Sequence, residues 1–152
     1  MTIKKRLLTF VGFLCITAIL VPLPAIAIDN PDAPDYIGEF NARSKSYIDA
    51  INNPNNGNRD YLIAYDNYAN FLDAELNHAF KVLENKLGKS QKEELKLAQR
   101  QWIKFRDAEF KFINDNWTKE NFGSSSGISR GTYRCTIIKD RVMQLLYYLK
   151  NY

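Results

Sequence analysis

Along the chain, apolar residues recur at helical spacing in three long stretches, and nowhere do they alternate strictly as a half-buried strand requires. From Asp60 onward, Tyr61, Tyr65, Tyr68, Leu72, Leu76, Ala79, Leu83 and Leu87 follow one another at steps of three and four. That spacing predicts a long amphipathic helix, capped at its start by Asn58 or Asp60 and ended by Gly88 in left-handed conformation. A second helix opens on Ser90-Gln91-Lys92-Glu93, whose serine and glutamate suit a capping box, and runs to about Asn114. On its apolar side Leu95, Ala98, Trp102, Phe105 and Phe112 or Ile113 fall together, opposite Arg100, Lys104, Asp107 and Lys111. A third helix, Thr132 to about Leu149, aligns Ile138, Val142, Leu145 and Leu149. With only Gly88-Lys89 between them, the first two fold back on each other, and the last covers the side left wet. The expected fold class is all-α: an antiparallel long-helix hairpin covered by a C-terminal helix, a three- to four-helix bundle, with Trp102, Phe105 and Arg106 at its central seam.

The connecting segments carry weaker patterns. Asp29, Pro31, Asp32, Pro34 and Asp35 form an acidic, proline-punctuated leader expected to stay extended. Ile37, Phe40, Tyr47, Ile48 and Ile51 have loosely helical spacing and predict a short helix between Tyr36 and Ile51. The run Asn52 to Asn58 reads as a loop by composition, and Gly123-Ser124-Ser125-Ser126-Gly127 as a flexible loop, with Trp117 and Phe122 pinning its start.

Residues 1–27 change the picture of charge and compartment. Lys4-Lys5-Arg6, an uncharged run from Leu7 to Val21, and Ala25-Ile26-Ala27 read as a cleaved secretory signal, the apolar run being too short for a membrane span. The division expected is a signal over 1–27, an acidic and Asn-rich leader over 28–59, and a helical domain over 60–150. The signal carries three of the 21 basic residues and none of the 17 acidic ones, so the remainder stands at 18 against 17. A net charge of +1 offers no basic patch for nucleic acid. The signal also carries Cys15, which leaves Cys135 as the single cysteine of the exported chain, expected to be buried and inert.

Candidate chemistry is sparse. The single histidine, His78, lies off the apolar stripe and is expected in solvent, so neither a histidine triad nor a metal cluster has material to build on. Asp107 and Lys111 suit a surface pair one turn apart. Asn116-Trp117-Thr118 matches a glycosylation acceptor, relevant only in a eukaryotic secretory path. Asp73 and Asn77 border the stripe of the first long helix as Arg106 borders that of the second, and a forked hydrogen bond from Arg106 to Asp73 would fix the register of the hairpin. Arg141 is the rival partner. No catalytic residue, metal or cofactor is expected.

Two blocks together carry a family likeness: Leu72-Asp73-Ala74-Glu75-Leu76-Asn77, and Ala98-Gln99-Arg100-Gln101-Trp102-Ile103-Lys104-Phe105-Arg106-Asp107-Ala108-Glu109. With a Gly-Ser segment, Cys135 and Asp140-Arg141-Val142 following in order, the chain from about Asp60 to Leu149 resembles the lysozyme inhibitor LprI-like N-terminal domain. The resemblance implies a small exported bacterial helical domain, non-enzymatic, with lysozyme or another envelope protein as partner. It marks Asp73, Leu76, Asn77, Trp102, Arg106, Asp107, Cys135 and Arg141 as signature positions with structural roles. In one place the chain departs from the family: where a cysteine usually follows the Arg-Asp-Ala-Glu run, Phe110 stands, and Cys135 loses that partner. The alternatives are a structural or assembly module of the envelope acting by self-association, and a wall-acting hydrolase, which requires a carboxylate pair across a groove.

Overall fold

The computed structural model describes residue 32 and residues 34–152. The expected signal over 1–27 lies outside the described residues, as does most of the acidic leader. Among the described residues there is no strand, and the helices run α1 (Tyr36–Ile51), α2 (Asn58–Lys86), α3 (Lys89–Asn116), the single turn α4 (Lys119–Phe122) and α5 (Ser126–Leu149). The all-α bundle is therefore the fold.

Each boundary has a local cause. The Asp35 carboxylate accepts from the Gly38 N–H at 2.9 Å and starts α1, and Pro54 lies just beyond its end. Gly57 precedes α2 in extended conformation, its N–H donating to the Asp60 carboxylate at 2.9 Å. Gly88 differs from expectation. It has φ −73° and ψ 170°, extended rather than left-handed, and serves as the residue before α3 instead of a cap on α2. Consequently Ser90 already lies inside α3, its hydroxyl 3.5 Å from Glu94, and the expected capping box does not form.

Packing centres on the seam between α2 and α5. Tyr68, Leu72, Leu76, Ala79 and Leu83 of α2 meet Cys135, Ile138, Val142, Leu145, Leu146 and Leu149 of α5, with Phe40 of α1 closing one side. Tyr65 of α2 lies against Gly131 and Cys135, and Lys86 reaches the Tyr152 carbonyl at 3.4 Å, so the two helices run in the same direction. Helix α1 runs antiparallel to α2, clamped by a forked pair in which Arg43 donates to both oxygens of Glu75 at 2.8 and 2.7 Å.

The hairpin of α2 and α3 is antiparallel as expected, but its arms do not close on each other along their length. Instead α5 lies between them. Helix α3 joins the core through Leu95, Trp102 and Phe110, and buries only Leu95 and Ile113 fully. The last helix also starts six residues earlier than its periodicity predicts, because the Gly-Ser segment is helical: a 3-10 turn at Gly123–Ser125 leads into α5 at Ser126, which is buried. Trp117 stacks on Phe122 at 5.9 Å and meets Tyr133 edge-on at 4.9 Å, pinning this corner.

Candidate functional site

Antiparallel packing of α3 on α5 places arginines and aromatic rings in alternation. The Arg141 guanidinium lies 6.0 Å from the Trp102 ring, Arg106 lies 5.5 Å from Trp102 and 5.8 Å from Phe110, and Arg134 lies 5.2 Å from Phe110. Cations over ring faces gain from the ring quadrupole, by about 0.5–1 kcal/mol each where partly exposed. The Arg106 contacts lie within α3, whereas Arg141 over Trp102 and Arg134 over Phe110 cross from α5 and help hold α3 where it offers few buried aliphatic residues.

Outside this ladder runs an open groove of about 510 Å³, lined by Trp102, Phe105, Ile137, Arg141, Met143 and Tyr148, with Asp140, Gln144 and Tyr147 at its margin. Arg141 is the unusual member. It is 8% exposed, yet both of its hydrogen bonds go to neutral amides: Nε to Gln99 Oε1 at 3.0 Å and Nη1 to Gln144 Oε1 at 2.5 Å. Nη2 is buried without an acceptor, and no carboxylate among the described residues forms an ion pair with this side chain. Burial pushes the Arg141 pKa below its ordinary value; the phenol of Tyr148 acts in the opposite sense.

The chain belongs to the lysozyme inhibitor LprI family. The family match spans residues 52–145, from the Asn-rich loop before α2 into the last turns of α5, and contains the whole ladder and most of the groove. No curated protein and no solved structure matches the chain.

The eight positions that the resemblance marks do not gather at one place. Asp73, Leu76 and Cys135 sit at the α2–α5 seam: Leu76 and Cys135 are buried, and burial raises the thiol pKa, with the charge of half-buried Asp73 adding to it. Asn77 on α2 is exposed. Trp102, Arg106 and Asp107 lie on α3, with Trp102 between Arg106 and Arg141 of α5. The expected bond from Arg106 to Asp73 is absent. Arg106 Nε and Nη2 both donate to Asp107 on its own helix, at 3.0 and 2.8 Å, because α5 separates the arms that would have to share an edge. Nor does Asp107 pair with Lys111, which bonds Asp115 one turn further on.

Phe105, expected in the seam, is 53% exposed and forms an outer wall of the groove; Phe112 is exposed and Ile113 buried, which settles that pair of choices. His78 is exposed. Sequence reasoning missed Gln99, Gln144, Tyr147 and Tyr148. The available signal was the consecutive tyrosines beside the Ile138-Val142-Leu145-Leu149 stripe, at positions that stripe cannot bury.

Proposed function

We propose that this LprI family member is an exported, non-enzymatic binding domain that inhibits lysozyme by covering its substrate cleft. The observation that supports a binding role is the outward face of α3. Leu97, Phe105 and Phe112, at intervals of eight and seven residues, stay on one side of the helix, and each is more than half exposed. Large apolar side chains aligned on one exposed helix face suit contact with another protein. Of the leader acids, Asp35 caps α1 and Glu39 lies 3.7 Å from Arg43, and the reading rests on the exposed apolar face rather than on an acidic one.

The test mixes purified protein, from Ile28 onward, with lysozyme and follows lysis of cell walls. Slowed lysis at modest molar excess is expected, and Phe105→Asp is expected to abolish it. An unchanged rate at large excess rules out the inhibitory reading. A second reading, assembly by self-association, uses the same exposed face; sedimentation as a concentration-dependent dimer would favour it.

A further inference from the structure

A buried guanidinium without a carboxylate is costly, since desolvation of the charge is offset only by bonds to neutral groups. Arg141 is in that state, and it lies at the wall of a groove lined mostly by aromatic and aliphatic side chains, with Asp140 and Gln144 beside them. Its Nε and Nη1 are occupied by Gln99 and Gln144, and Nη2 has nothing to donate to. We propose that the groove between α3 and α5 is a subsite for a peptide carboxylate flanked by an apolar side chain, the carboxylate accepting from Arg141 and the apolar group lying against Trp102, Phe105 and Tyr148.

Two features of the groove select this occupant. An apolar group alone would leave Nη2 unsatisfied, whereas a carboxylate supplies the missing acceptor and the missing countercharge together, in the geometry guanidinium favours. Asp140 shares the groove margin but makes no bond to Arg141, and it is exposed, where water screens its repulsion. Nη2 is covered in the free protein, so binding requires a ring at the groove to turn aside, and Phe105, Tyr147 and Tyr148 are each 43% or more exposed. The proposal rests on the reading of the chain as a binding domain and is independent of whether the partner is lysozyme.

The probes are N-acetyl-L-phenylalanine, which carries the free carboxylate, and N-acetyl-L-phenylalanine amide, which does not. Each is titrated into nitrogen-15-labelled protein while the two tryptophan indole N–H signals are followed, Trp102 being told from Trp117 by Trp117→Phe. The acid is expected to shift the Trp102 signal saturably, with a midpoint about tenfold below that of the amide, as loss of a charge-assisted hydrogen bond implies. Arg141→Gln should bring the two midpoints together, and Arg141→Lys, which keeps the charge but not the fork, should leave a reduced difference. Should Arg141→Gln not fold, the lysine variant and the acid-against-amide comparison on the unaltered chain still decide. Equal midpoints, a shift confined to Trp117, or no saturable shift at all overturns the proposal. Since lysis is not measured, failure here is separate from failure to inhibit lysozyme.

Discussion

At the scale of the residue, Cys135 shows what burial does to a group whose chemistry the sequence leaves open. Its thiol donates to the Tyr65 carbonyl at 3.6 Å, and desolvation, with Asp73 adding to it, pushes its pKa up to about 11 from 9.0. The folded chain thus holds the proton where the unfolded chain releases it. Stability from this source is complete below about pH 9 and falls as pH rises toward about 11. The loss is on the order of 2 kcal/mol. Urea denaturation across that range is expected to show a steeper fall for the natural chain than for Cys135→Ala; equal slopes would mean the thiol is not desolvated. That Cys135 is buried was legible from residue type alone. The partner of Arg106 was not, because helical periodicity says which side of α3 Arg106 occupies and nothing about which helix lies opposite.

At the scale of the element, Gly127 was misread as part of a loop for an instructive reason. Glycine and serine between two helical patterns have the composition of a flexible loop, yet Gly127 and Gly131 lie inside α5, where they let α2 approach. A Cβ on Gly131 would meet Tyr65 Cβ at 2.7 Å, an atom fixed to the α2 backbone. On Gly127 it would meet Leu62 Cδ2 at 2.7 Å, the end of a movable side chain that is 41% exposed. Alanine gains about 1 kcal/mol over glycine in helix propensity, while overpacking a fixed contact costs roughly 1–3 kcal/mol. Gly131→Ala is therefore expected to lower stability by about 1 kcal/mol, and Gly127→Ala to leave it unchanged or raise it slightly, in chemical denaturation. A Gly131→Ala protein as stable as its parent would show that the α2–α5 seam yields at this point. The positive-φ position in this corner is Gly123, at φ 66°, where the short helix α4 ends.

At the scale of the whole molecule, the fold class and the three long helices followed from hydrophobic spacing, because burial of one stripe per helix is a local property of the sequence. The order in which the helices lie side by side was not legible, since the stripes of α2 and α3 suit each other as well as each suits α5. The observed order puts α5 between them and divides the chain unequally. Helices α2 and α5 share a continuous aliphatic seam with Leu72, Val142 and Leu145 fully enclosed, while α3 buries only Leu95 and Ile113 and is otherwise held by two cations of α5 over its rings, Arg141 on Trp102 and Arg134 on Phe110. Free energy of local opening follows buried apolar contact, so α3 should open without the rest. In native-state hydrogen exchange, amides of α2 and α5 are expected to exchange only with global unfolding, and those of α3 between Gln99 and Phe110 at a free energy lower by about 1–3 kcal/mol. Low concentrations of urea should leave the α3 values nearly flat and bend the α2 and α5 values downward, because only global unfolding exposes the large surface that urea solvates. A ligand that bridges Arg141 and Trp102 would tie α3 to α5, and the α3 amides would then rise toward the global value. Uniform protection across α2, α3 and α5 without ligand would contradict this division and make α3 an integral part of one cooperative core.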